Sequence, residues 1–242
     1  MQRLKDKVAV VTGASSGIGD AAVRMLVADG AHVILSARRA DRLAALAEEL
    51  GPLAHPIACD VGDLAQVRAM FDEVKQRFGG VDLLFNNAGV GYKSVFAESD
   101  PEHWRAMMDT NVYGMFNCTH AALPLMRGRD GAMVATVSSI GGRYGLPALA
   151  VYSATKAAVV TFSDALRREL GERDVRVTII EPGAVWSEWG SNLDREVTDA
   201  RRAEVGALHG EDVARAMIEA FVQPPGVHIR EIRIAPTRQV SP

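Results

Sequence analysis

The sequence predicts an α/β fold, one parallel sheet of seven strands doubly wound by flanking helices, and three observations carry that prediction. Short apolar runs alternate strictly with longer amphipathic stretches, the β–α order that a parallel sheet requires. Runs such as VAVV at 8–11 and TII at 178–180 are apolar at nearly every position, as strands buried on both faces are. Glycines and short polar residues separate the runs, so the connections are short.

The first strand, VAVVT at 8–12, runs into a glycine-rich turn; a helix follows at 17–29 and Gly30 stops it. HVILSA at 32–37 is the second strand, after which Asp41 signals the start of a helix at 41–50 and Gly51 its end. LAHPIAC at 53–59 is the third, with Asp63 and Gly79 bracketing a helix at 63–78. VDLLFN at 81–86 is the fourth. Asp100 and then Pro101, at a first helical position, open a long helix at 101–127. AMVATVS at 132–138 makes the fifth strand, followed by a helix at 151–171 that closes on Gly171. VRVTIIE at 175–181 and VHIREIRIA at 227–235 are the last two strands, separated by a helix at 211–222. The weakest pattern lies at 184–210, and a segment of that length between strand and helix reads as a lid over a site. With no linker, repeat or low-complexity tract, 1–242 reads as one domain.

Hydrophobic content of 48% and a net charge of −3 describe an ordinary globular chain. That balance argues against nucleic acid and anionic membranes as partners and leaves small molecules. The charged start MQRLKDK and the short apolar run behind it suit neither a leader nor a membrane span, so a cytoplasmic location is expected. Cys59 and Cys118 lack a CxxC spacing and read as packing residues. None of His32, His55, His103, His120, His209 and His228 stands in a metal-binding spacing, so no metal is expected.

Chemistry-bearing residues begin at TGASSGIG, where Gly13, Gly17 and Gly19 surround Ser15, Ser16 and Ile18 at a strand-to-helix turn. Glycines there let a backbone approach a pyrophosphate, and the start of the next helix stabilises its charge; a glycine-rich turn without ligand is the alternative. The tip of the second strand decides between NAD and NADP, because an acid there binds the ribose 2′-hydroxyl and repels a 2′-phosphate. Here Ala37 replaces the acid, and Arg38 and Arg39 offer planar forks for a phosphate unless both are solvated loop residues. NADP(H) is the favoured cofactor. Asp60 and Val61 end the third strand, where the carboxylate can accept from an adenine amino group, and Asn87, Ala88 and Gly89 end the fourth at the groove floor. Asn86 reads as a structural tie between neighbouring backbones.

Tyr152 and Lys156 share one helix face at i, i+4. A positive charge beside a phenol favours the phenolate and moves its pKa toward the working range of a general acid or base. Of Ser138 and Ser139 only one can face the site, because strand residues alternate.

The ordered set TGASSGIG, NNAG, TNVYG, Ser139, YSATK and EPG resembles the short-chain dehydrogenases/reductases, in their shorter branch, over nearly the whole chain. The resemblance implies a Rossmann-type domain in which Tyr152 exchanges the proton and Ser139 holds the substrate oxygen. Lys156 would lower the phenol pKa and bind the nicotinamide ribose, and Asn111 would hold a water that links Lys156 to solvent. Pro182, Gly183 and Val185 would buttress the nicotinamide, with Ser187 standing where the family usually has Thr. Trp186 and Trp189 flank that hydroxyl, and one of them, like Tyr144, is a candidate for lining the substrate pocket, ordinary packing being the alternative.

Helices at 101–127 and 151–171 are apolar on more than one side, and the resemblance implies a homotetramer built on them, a dimer being the other option. The expected activity is NADPH-dependent reduction of an aldehyde or ketone, reversible. A dehydrogenase of a small 3-hydroxy acid and an NADP(H)-binding regulatory protein without turnover stay open. A sugar-nucleotide epimerase or dehydratase shares the Tyr–Lys spacing but resembles a longer branch.

Overall fold

The computed structural model describes residues 3–171, 174–188 and 195–240. Its strands are β1 Val8–Thr12, β2 His32–Ala37, β3 Ala54–Ala58, β4 Leu83–Asn86, β5 Met133–Val137, β6 Arg176–Pro182 and β7 Glu231–Ile234. The helices are α1 Gly17–Ala28, α2 Ala40–Leu50, α3 Leu64–Phe78, α4 Pro101–Met108, α5 Gly114–Met126, α6 Ala150–Leu170, α7 Arg195–Val205 and α8 Gly210–Phe221. The strands form one sheet in the order β3-β2-β1-β4-β5-β6-β7, every pair parallel. The chain order reverses between β1 and β4, and in doubly wound sheets the crevice at such a switch point takes the ligand.

Side-chain alternation divides the core. Val11, Leu35, Phe85, Ala135 and Ile180 face one way and pack with α1, α2 and α8. Val10, Ile34, Leu84, Val134 and Val177, one residue earlier on most strands, face the other way toward α3, α5 and α6. Central strands β1, β4, β5 and β6 are buried at every residue, which explains their uniformly apolar sequences. β3 and β7 sit at the edges; Pro56 is tolerated inside β3 because its missing N–H has no strand to serve on that side.

Asp63 and Asp100 cap their helices as expected, accepting from Ala65 N at 2.8 Å and Glu102 N at 2.9 Å. Gly30, Gly51 and Gly79 end theirs with positive φ. Asp41 and Gly171 differ from expectation: Asp41 lies within the first turn of α2, with Arg39 at the N-cap, and Gly171 stays right-handed. The long helix expected at 101–127 is divided by a π-helical turn, Asp109–Tyr113. The last strand is shorter than 227–235, because the His228 ring instead accepts from Val177 N at 3.0 Å and occupies the start of the ladder. α7 arises in the stretch of weakest pattern.

Among the described residues no helix is long and apolar enough to cross a membrane, and no group of His, Cys, Asp and Glu could hold a metal. Cys59 and Cys118 are free and buried, and burial pushes the Cys59 thiol up to about 11.

Candidate active site

Thr12 at the end of β1 fastens the groove floor. Its hydroxyl accepts from Asn87 N at 3.0 Å and Ala88 N at 3.1 Å, across the switch point. The Asn87 amide donates to Thr12 O at 3.0 Å and Gly13 O at 3.3 Å, the backbone tie expected of Asn86. Asn86 donates instead to the Thr119 hydroxyl at 3.0 Å and so anchors α5 to the sheet.

Gly13 has φ +66°, and a Cβ there would lie 2.9 Å from Ala88 Cα, so no other residue fits between the two strand ends. Gly17, at φ +58°, begins α1, and Gly19 and Ile18 follow in its first turn. Ser16 holds the N-cap position, yet its side chain caps nothing; Ser15 and Ser16 hydroxyls accept from Arg39. The first-turn N–H groups of α1 are therefore left without a side-chain acceptor beside a glycine turn, an arrangement that fits a pyrophosphate.

At the tip of β2, Ala37 is buried and Arg38 is exposed. Arg39 turns toward the glycine loop, with Nη2 at 2.8 Å from Ser15 Oγ and 3.0 Å from Ser16 Oγ. Nη1 of the same guanidinium reaches Glu188 Oε2 at 2.8 Å, and Arg42 meets the same carboxylate at 2.9 Å. Asp60 binds its own turn, Oδ1 accepting from Gly62 N at 3.0 Å, while Val61 packs toward Gly114.

The other end of the groove gathers three side chains. Ser138 donates to Lys156 O at 2.9 Å, and strand alternation turns Ser139 the opposite way, hydrogen-bonded to Tyr152. Ser139 Oγ also accepts from Gly141 N at 3.0 Å. The Lys156 ammonium donates to Val137 O at 2.9 Å and lies 5.8 Å from the Tyr152 ring centre. Gly89 backs onto it: a Cβ there would stand 3.5 Å from Lys156 Nζ and 3.3 Å from Asn111 Oδ1. Asn111 is locked by its amide, which accepts from Val90 N at 2.8 Å and donates to Val90 O at 2.9 Å and Thr155 Oγ1 at 3.0 Å. A small cavity opens between Asn111 and Lys156, with Thr12, Asn86, Thr110 and Thr136 as its polar lining.

At Tyr152 burial pushes the phenol up to about 12, against a downward pull from the Ser139 hydrogen bond. Lys156 is itself pushed down to about 8 by burial, so its charge is weakly held.

Pro182 ends β6, Gly183 N donates to Ile234 O at 2.8 Å, and Val185 bridges to Leu208 while packing on the core. Ser187 Cβ lies 3.3 Å from where a Gly17 Cβ would be, so this segment crosses the glycine loop. Trp186 is partly buried with the Arg202 guanidinium 5.8 Å from its ring centre, and Tyr144 is half exposed. Trp189 lies outside the described residues.

The sequence pattern of the family described as short chain dehydrogenase matches residues 7–198. The chain belongs to the short-chain dehydrogenase family. Dehydrogenase/reductase SDR family member 11 from Gallus gallus is 36% identical over 255 residues, covering 100% of both chains. Among solved structures, the closed form of a serine dehydrogenase complexed with NADP+ matches with a TM-score of 0.89 at 32% identity, over 93% of each chain. An alcohol dehydrogenase from the archaeon Thermococcus sibiricus, complexed with 5-hydroxy-NADP, matches at 0.86 and 30% identity, over 98% of this chain and 99% of that one. This short-chain dehydrogenase is thus an oxidoreductase of a family that uses NAD or NADP. Sequence reasoning missed Arg42 and Glu188 at its groove. Arg42 stands three residues after Arg39 on one helix face and was findable from that spacing. Glu188 meets the arginines across 149 and 146 residues of chain, with no local signal.

Proposed function

We propose that the protein is an NADP(H)-dependent oxidoreductase that reduces an aldehyde or ketone to an alcohol, reversibly, with Tyr152 as general acid and base. The observation that carries this reading is the cluster of Ser139, Tyr152 and Lys156, buried together beyond the carboxyl end of β5, beside the groove at the switch point. The glycine loop at 13–19, Asp60, Val61 and residues 87–89 would hold the nucleotide, and Pro182, Gly183, Val185 and Ser187 would flank its reactive end. Bound NADPH supplies the hydride that the carbonyl carbon receives.

Ser139 Oγ accepts from Gly141 N and is hydrogen-bonded to Tyr152, and a carbonyl oxygen entering between the two hydroxyls would accept from both in place of that contact. The phenol O–H breaks as the alcohol O–H forms, and the Lys156 ammonium stabilises the phenolate left behind. Reprotonation would run through Lys156 and the small cavity against Asn111. A phenol held near 12 stays protonated at neutral pH and so has a proton to give. Tyr152→Phe is expected to lower turnover by about 10²–10⁴-fold while leaving NADPH affinity within about twofold, as read by single-turnover kinetics and calorimetry. Retained turnover removes Tyr152 from proton transfer.

NADP over NAD rests on Ala37 and on Arg38 and Arg39, of which Arg39 faces the glycine loop and Arg38 is exposed at the strand tip. A small 3-hydroxy acid is the second substrate reading, favoured by the likeness to the NADP+-bound serine dehydrogenase. Oxidation of serine with NADP+ at a rate above that of simple alcohols would select it. Binding of NADPH with no turnover on any carbonyl or hydroxy acid would favour the regulatory alternative. The rest of the proposal is a single domain over 1–242 with 184–210 as a substrate lid, in a cytoplasmic homotetramer or dimer. Exposed Phe96, Met108 and Tyr113, on and beside α4 and α5, support the subunit contact, and exposed Tyr144 supports the pocket.

A further inference from the structure

Glu188 leaves the end of β6 and comes to rest at the tip of β2, where its carboxylate meets two arginines at once. Arg39 Nη1 donates to Oε2 at 2.8 Å, and Arg42 Nη1 lies 2.9 Å from both carboxylate oxygens. Arg39 occupies the N-cap of α2 and Arg42 its first turn, so the carboxylate also gains from the positive end of that helix. The other half of the Arg39 fork is spent on Ser15 and Ser16, which places Glu188 directly beside the glycine loop. One residue earlier, Ser187 stands against Gly17. The charge of the arginine pair is thus partly offset by an anion from the protein's own chain, at the place where an acid on β2 would otherwise discriminate between cofactors.

We propose that Glu188 is an internal stand-in for the cofactor 2′-phosphate, and that the Arg39–Arg42 pair exchanges this carboxylate for the phosphate when NADP(H) binds. The inference rests on the reading of the arginines as the 2′-phosphate site. Its consequence is a specificity role for Glu188: a ligand with a 2′-phosphate must displace it, whereas a ligand without one leaves the ion pairs in place. All three side chains are about half exposed, so exchange requires no unfolding of the core. Glu188 therefore sets the upper limit on NADP preference, and Arg42 contributes to that preference although it lies outside the strand-tip motif.

Calorimetric titration of adenosine 2′,5′-bisphosphate and 5′-AMP into the full chain separates the possibilities without catalysis. Wild type is expected to bind the bisphosphate more tightly than AMP. Glu188→Gln is expected to tighten the bisphosphate by about fivefold, the size of a released exposed ion pair, and to leave AMP within about twofold. Arg42→Ala is expected to narrow the ratio between the two ligands. If wild type binds both ligands equally, the 2′-phosphate reading fails and this inference with it. If wild type discriminates but Glu188→Gln leaves the bisphosphate unchanged or weakens it, the cofactor reading survives and the exchange is wrong.

Discussion

Lys156 carries a conflict between stability and chemistry. Its ammonium is buried with one hydrogen bond, to Val137 O, and burial holds its pKa near 8, below its ordinary value of 10.5. The unfolded chain therefore binds this proton more tightly, and the charged form costs the fold about 3 kcal/mol at pH 7. That cost shrinks as pH rises through about 8 and is gone above about 10.5, so stability from this group increases with pH. Lys156→Met is expected to unfold at higher denaturant than wild type at pH 7, to lose that advantage toward pH 10, and to lose turnover. A variant less stable than wild type at pH 7 would show that the ammonium is well satisfied. Thr12 presents the opposite case: its hydroxyl satisfies two backbone N–H groups, and Thr12→Val should cost about 1–3 kcal/mol in denaturant unfolding. The Tyr–Lys pair was legible from spacing, and Ser139 over Ser138 only from the family resemblance, but the direction of the Tyr152 shift was not. Spacing shows proximity, while burial, which decides the shift, belongs to the packed structure.

At the scale of elements, what the sequence made legible follows from whether a side-chain pattern registers the feature. Strands β1, β5 and β6 announce themselves because both faces are buried, and Asp63 and Asp100 announce their helices by capping them. The π-helical turn at Asp109–Tyr113 is invisible to a 3.6-residue period, which one wider turn barely disturbs, yet it is that turn that carries Asn111 onto Val90 and Thr155. α7 escaped notice because its charged run is interrupted only by Val197, Ala200, Ala203 and Val205, too little apolar content to mark a helix. Arg176 reads as an ordinary polar residue at the start of a strand, but its buried guanidinium collects the carbonyls of Gly131 at 2.6 Å, Phe221 at 2.8 Å and Ala220 at 3.2 Å, and so closes the end of α8. Arg176→Met would strand those acceptors. It is expected to cost about 3 kcal/mol, read as a lowered thermal midpoint, with cofactor affinity unchanged at temperatures where the fold persists. A midpoint equal to that of wild type would show that α8 ends well without the arginine.

The whole molecule brings together pieces far apart in the chain, because parallel strands deliver every carboxyl end to one edge of the sheet. The glycine loop, the 37–42 tip, the floor at 87–89, Ser139, the Tyr152 helix and the 182–188 segment meet there, each on a different connection. Each of those segments that holds a short motif was readable; the ion pairs joining 188 to 39 and 42 were not, since only the assembled topology makes them neighbours. The proposed reaction delivers a hydride and a proton to a carbonyl with NADPH as donor. Loss of absorbance at the reduced-nicotinamide band, followed with NADPH beside NADH over a panel of aldehydes, diketones, keto esters and aryl ketones, tests it most directly. Consumption is expected with at least one carbonyl, faster with NADPH than with NADH. No consumption of either cofactor while NADPH binds tightly, or a clear preference for NADH, would contradict it.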